Sequence, residues 1–280
     1  MPRPIVILVA LLLFVVAIWA IVMRLQRDAR HSIELGQDWP PEEQLSLSQI
    51  DHSAWSELLG RYVDDSGLVK YRALKDSAED RALLIGYLGQ LSRADTDRPA
   101  SQEERLAFWI NAYNAVTLEG ILREVPTSSI RNHTNVVGYN IWDHLLLQVG
   151  TQKVSLNIME HEILRKMGEP RIHFAIVCAS IGCPRLFNEA YVPERIDDQF
   201  TINARHFFAQ TANFRIDDQA ETVYLSTILQ WFADDFGDTV ADQLAMLAPY
   251  LPSDEAREQV AADGVRINYL DYDWSLNEQP

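Results

Sequence analysis

Both cysteines of the 280-residue chain fall in one stretch, Pro170-Arg171-Ile172-His173-Phe174-Ala175-Ile176-Val177-Cys178-Ala179-Ser180-Ile181-Gly182-Cys183-Pro184. A thiol and an imidazole in one segment are components of nucleophilic catalysis, in which a thiolate attacks and a histidine manages its proton. Cys183 follows Gly182 and is expected to open a helical turn, where backbone N–H groups lower a thiol pKa. That makes Cys183 the candidate nucleophile, with His173 as base and Asn111 as orienter, the Cys-His-Asn arrangement of thiol hydrolases. The apolar run from Ile172 to Val177 reads as a buried strand behind Pro170, and Gly182 and Pro184 bracket a tight loop. On a strand, positions 173 and 178 face opposite sides, which separates His173 from Cys178.

Two other chemistries draw on the same residues. A Cys178–Cys183 disulfide would close a short loop of small entropic value, which directs attention to a redox or geometric role in an oxidising compartment. Zinc held by His173, Cys178, Cys183 and His161 lacks a Cys-x-x-Cys knuckle, so no metal and no cofactor is expected.

The elements that position these groups are legible around them. Ser101-Gln102-Glu103-Glu104 is a capping box, and the helix it opens runs to about Arg123 and stops before Pro126. It is apolar nearly all round from Leu106 to Leu118, as a central buried helix would be. Asn111 and Asn114 lie on it, and a buried amide left unpaired costs about 1–3 kcal/mol. Each therefore either braces loop backbone or faces a site. A further helix is predicted from Asn157 to Gly168, with Asn157 as cap. His161 and Arg165, four apart, share its outer face as a solvated pair or as a grip on an anionic group. The candidate binding set is His161, Arg165, Asn114, Ser180 and Cys178.

Elsewhere the pattern predicts a turn at Asp64–Gly67, a helix over 79–91, and paired strands at Leu145–Val149 and Lys153–Val154. A helix then follows to Phe208, a strand over 221–225, one helix from Ser226 to Gly237, two more helices and a last strand over 265–270. The class is α+β, a single mainly helical globular domain over 51–280 around a small sheet. Residues 24–50 read as a polar linker, broken by Pro40 and Pro41.

Ile5 to Met23 carries no charge and approaches the roughly twenty residues that span a bilayer. Its C-terminal edge lacks a small-x-small cleavage pattern, so residues 1–23 read as an uncleaved transmembrane anchor, with the membrane as partner through residues 5–23. Arg24, Arg27 and Arg30 after the span, against Arg3 before it, lean toward a cytoplasmic domain by charge counting. A large acidic domain behind an apolar segment leans toward the periplasmic side, the orientation favoured here. A net charge of −16 excludes nucleic acid as an expected partner, because phosphate binding needs a basic face.

Four motifs occur in order: Phe108-Trp109-Ile110-Asn111-Ala112-Tyr113-Asn114-Ala115, Ser155-Leu156-Asn157 with Glu160-His161 and Ile163-Leu164-Arg165, the cysteine stretch, and Tyr272-Asp273-Trp274-Ser275-Leu276-Asn277. Together they resemble the family called domain of unknown function 547, over most of residues 51–277. The resemblance implies no activity. It implies only that bacterial members often follow an export or anchor segment and that plant members carry the domain after a coiled coil. A distant likeness to papain- or transglutaminase-type thiol hydrolases is imperfect, since Asn111 occupies the helix where that fold places its cysteine. Two functions stay open: a membrane-tethered, extracytoplasmic module binding a small molecule or protein, and a thiol-dependent hydrolase or transferase using Cys183.

Overall fold

The capping box closes as predicted: Ser101 Oγ accepts the Glu104 N–H at 3.1 Å, and the Glu104 carboxylate accepts the Ser101 N–H at 2.8 Å. The helix it starts, Gln102–Glu124, buries every residue from Leu106 to Leu122. Glu119 is fully buried there and is neutralised by Arg81 and Arg123, the pairing that a buried carboxylate requires. This is a computed structural model that describes residues 32–135, 139–217, 222–262 and 264–280, with Leu13, Phe14, Val16, Ile18 and Trp19.

The buried apolar residues form two hydrophobic cores. The first gathers the central helix, the helices Ser53–Tyr62 and Ala78–Leu91, and a three-stranded sheet. In that sheet β1 (Ile33–Leu35) runs parallel to β2 (Leu145–Val149), and β2 pairs antiparallel with β3 (Gln152–Ser155). The second core joins Phe207 and Phe208, from the helix Ile196–Phe208, to a second sheet. There β4 (Phe214–Asp217) is antiparallel to β5 (Thr222–Ser226), and β5 is parallel to β6 (Arg266–Leu270). The class is thus mixed α+β, with two small sheets in place of the one expected.

Four local expectations are corrected. Residues 32–50 are not a free linker: β1 pairs with β2, Leu35, Leu47 and Ile50 are buried, and Trp39 Nε1 donates to Gly89 O at 3.0 Å. The cysteine stretch is no strand. It forms a 3-10 helix, Pro170–Phe174, capped by the Glu169 side chain, and continues as loop. An apolar run does not distinguish a strand from a buried loop, and here Asn114 supplies the partners that a ladder would have given: it donates to Ala175 O and accepts from Val177 N, each at 3.0 Å.

The segment Ile158–Leu164 is a π-helix, a form concentrated at functional sites; a 3-10 turn, Arg165–Met167, follows and ends at Gly168 in the left-handed region at φ +69°. Asn157 does not cap it. Ser155 Oγ accepts the Ile158 N–H at 3.3 Å, and Asn157 reaches Asp143. Finally, the helix expected from Ser226 to Gly237 splits at Phe232 into Ile228–Trp231 and Ala233–Phe236.

The predicted anchor at 5–23 lies outside the described residues except for Leu13, Phe14, Val16, Ile18 and Trp19, which are helical and exposed. Among the described residues no helix is long and apolar enough to cross a membrane.

Candidate functional site

The cysteine stretch runs along the seam between the two cores: Ile172 and Ala175 belong to the first, and Phe174 to the second. A cavity of about 220 Å³ opens there, with Tyr113, Cys183 and Trp274 from the first side and Ile228, Phe232 and Tyr272 from the second. Trp231, Tyr272 and Trp274 stack as one wall, with centroids 4.5–5.7 Å apart.

Both cysteines are free thiols on this cavity. Cys178 Sγ lies 3.2 Å from Cys183 Sγ and 2.9 Å from both Ser180 Oγ and Tyr272 Oη. The Cys178 N–H in turn donates to Cys183 Sγ at 3.0 Å. Hydrogen bonding with Cys183, then with Ser180 and Tyr272, holds the Cys178 thiol below the usual range against the opposing effect of burial. Burial pushes Cys183 well above that range. No helix follows Cys183, and of the two thiols it is Cys178 that hydrogen bonding holds low. Ala179, next to Cys178, has φ +56°, the one non-glycine residue in the left-handed region among the described residues. Backbone strain of that kind concentrates at functional sites.

The turn is pinned by the segment after β6. Gly182 N donates to Asp273 O at 2.8 Å, and a Cβ at Gly182 would stand 2.8 Å from Asp273 N. Asn277 receives the Tyr71 hydroxyl at 2.7 Å, and its N–H reaches Ala179 O.

The opposite wall carries the acid–base groups. Burial raises the Glu160 carboxyl above the usual carboxylate range, and Tyr113 Oη donates to its Oε2 at 2.9 Å. His161 and Arg165 do share a face: Arg165 Nη1 donates to His161 Nδ1 at 3.2 Å, which places the proton of the neutral ring on Nε2. Arg165 also forks onto Asp235 at 2.6 and 2.8 Å, and Asp235 Oδ2 lies 2.7 Å from His173 Nε2. Burial works against ionisation of Asp235, but the hydrogen bonds from Arg165 and His173 outweigh it and keep its carboxyl low. His173 is buried and stacked 4.1 Å from Phe232, and burial lowers its pKa to about 4. It is a neutral imidazole held by Asp235. Both His161 and His173 line the cavity.

Asn111 stands apart from the expected role. Its amide donates to Tyr191 O at 2.8 Å and accepts from Tyr191 N at 2.9 Å, so it braces a loop rather than orienting a histidine. Asn114 likewise braces backbone, and the backbone it holds delivers Cys178. Sequence reasoning passed over Glu160, Asp235, Tyr113 and the aromatic wall. Glu160 looked like a helix cap, while Tyr272 and Trp274 stood in a recognisable closing motif with no chemistry attached. Among the described residues no group of three or more His, Cys, Asp and Glu is placed to hold a metal.

These features define a mixed α+β domain with a dithiol pocket at the seam of two cores. Residues 98–208 match the model of a family described as "Protein of unknown function, DUF547". The match takes in the central helix, the π-helical segment and the cysteine stretch, and it supports the resemblance carried by those motifs. No curated protein and no solved structure matches the chain.

Proposed function

We propose that the seam pocket belongs to a thiol-dependent hydrolase or transferase in which Cys178, not Cys183, is the nucleophile. The observation that carries this reading is the convergence of Cys183, Ser180 and Tyr272 on Cys178 Sγ within a small cavity. The thiolate adds to an acyl carbon and forms a thioester, and the bond to the leaving group breaks. Glu160, whose carboxyl burial raises above the usual range, supplies the leaving group's proton; water or a second acceptor then opens the thioester and returns a proton to Glu160. The aromatic wall and the limited volume suit a short acyl chain or an aromatic acid.

The test is alkylation by iodoacetamide near neutral pH with peptide mapping, alongside turnover of small activated esters. Label at Cys178, and loss of turnover in Cys178→Ser, support the assignment. Preferential label at Cys183 sinks it, as does ester turnover that survives Cys178→Ser.

The stacked wall of Trp231, Tyr272 and Trp274 favours a second reading, a module that binds a small apolar or aromatic ligand without turning it over. Binding that persists unchanged in Cys178→Ser, with no turnover in the native protein, selects it. In either reading we place the domain on a single N-terminal anchor on the periplasmic side, supported by the uncharged run Ile5–Met23. Release of the full chain from membranes by an alkaline wash would contradict the anchor.

A further inference from the structure

We infer that Cys178 and Cys183 form a working dithiol that reduces small organic disulfides, with Cys178 as the attacking thiol and Cys183 as the resolving thiol. Acyl transfer needs one thiol, yet two line the cavity 3.2 Å apart, with no residue between them. A disulfide bond is about 2.05 Å long, so the sulfurs close by a movement of roughly 1 Å. The two thiols are also unequal in the sense that such exchange requires. Hydrogen bonds favour the thiolate at Cys178, while burial keeps Cys183 protonated until Cys178 has reacted.

Cys183 has a second exposure. It lines a separate cavity of about 190 Å³, bounded by Gly67, Arg185 and Asn277, and so stands between two openings. With the first cavity filled by substrate, the second leaves a side from which an external thiol reaches Cys183.

The exchange balances in two steps. The Cys178 thiolate attacks one sulfur of the substrate disulfide; the new Sγ–S bond forms, the substrate S–S bond breaks, and the first product leaves as a thiolate. Cys183 gives its proton to that thiolate and attacks Cys178 Sγ, releasing the second product as a thiolate and leaving a Cys178–Cys183 disulfide. The substrate gains two electrons and the protein dithiol loses them. An external small thiol, entering by the same exchange, restores the reduced pair.

The probe is 5,5′-dithiobis(2-nitrobenzoate), whose aromatic halves suit the tryptophan–tyrosine wall, added in slight excess to the reduced full chain. The expected result is release of about two equivalents of nitrothiobenzoate per protein, with a mass about 2 Da below the reduced form. Peptide mapping then shows Cys178 joined to Cys183. Cys183→Ser is expected to release about one equivalent and retain the nitrothiobenzoate on Cys178, because nothing resolves the mixed disulfide. A native protein that keeps the adduct on Cys178, or on both cysteines, overturns the inference without any variant having to fold. The outcome is separable from the acyl-transfer reading, which is judged by ester turnover in the native chain and its loss in Cys178→Ser, neither of which depends on an internal disulfide. A native protein that labels at Cys178 but never forms the internal disulfide removes the dithiol alone.

Discussion

Asn114 holds the Val177 N–H at 3.0 Å through its Oδ1, and with the same amide it holds Ala175 O, so one side chain on the central helix fixes the peptide that leads into Cys178. The residue is buried. Asn114→Ala strands two buried backbone groups and is expected to cost about 2–4 kcal/mol in denaturant unfolding. It also slows alkylation of Cys178. Asn111→Ala strands the Tyr191 backbone in the same way and costs a similar amount, but leaves the Cys178 alkylation rate within about twofold. A variant pair in which both slow the thiol equally would mean that the cavity answers to stability alone.

The acidity of Cys178 has identifiable donors, and removing one has a definite sign. Tyr272→Phe and Ser180→Ala each take away a hydrogen bond that stabilises the thiolate, so the midpoint of the pH–alkylation profile moves upward toward the ordinary thiol value of about 8.5. A profile unchanged in both variants would remove these hydroxyls from the account.

His173 gives the fold a pH dependence of its own. Its pKa is lowered to about 4 in the folded protein, chiefly by burial, against 6.5 as the ordinary value. Between those values the unfolded chain binds the extra proton, so this contribution is complete above pH 6.5 and is lost as pH falls toward 4. The amount is about 3 kcal/mol. His52, also lowered to about 4 by burial, acts in the same direction. Unfolding free energies measured across this window should decline less steeply in His173→Gln than in the native chain, with the His52 share remaining. Equal slopes would show that His173 protonates without cost.

Gly182 tests the closeness of the cysteine loop to the segment after β6. An added Cβ meets backbone atoms, Asp273 N at 2.8 Å and Asp273 O at 3.1 Å, which cannot yield as a side chain can. Gly182→Ala is expected to lower stability by about 1–3 kcal/mol and to raise the Cys178 pKa as Tyr272 is displaced. A folded variant with native thiol acidity would show that the two segments move independently.

The central helix was legible in the sequence because its evidence is local: a capping box within four residues, an apolar surface, a proline past its end. The strands over 145–155 and 222–226 were legible for the same reason, whereas β4 was passed over. The cysteine stretch was misread because a run such as Ile172 to Val177 carries no mark of its hydrogen-bond partners, and those come from Asn114, 63 residues away. The preference for Cys183 over Cys178 rested on a helical turn that does not form and on strand parity where there is no strand, and one partner of Cys178, Tyr272, lies 94 residues away. Both thiols and the two histidines singled out in the sequence line the cavity, and Arg165 bonds His161 beside it. Asp235 and Glu160, which tie them together, had no sequence signature apart from being acidic.

That separation of 94 residues makes the reactivity of Cys178 a clock for biosynthesis. A ribosome-bound chain that has not yet exposed residue 272 carries an unremarkable thiol, slow toward electrophiles in the cell. Under the proposed reading, Cys178 gains its acidity when the segment around Tyr272 docks against the cysteine loop. A brief pulse of alkylating reagent at mildly acidic pH would then count the finished molecules and pass over the rest.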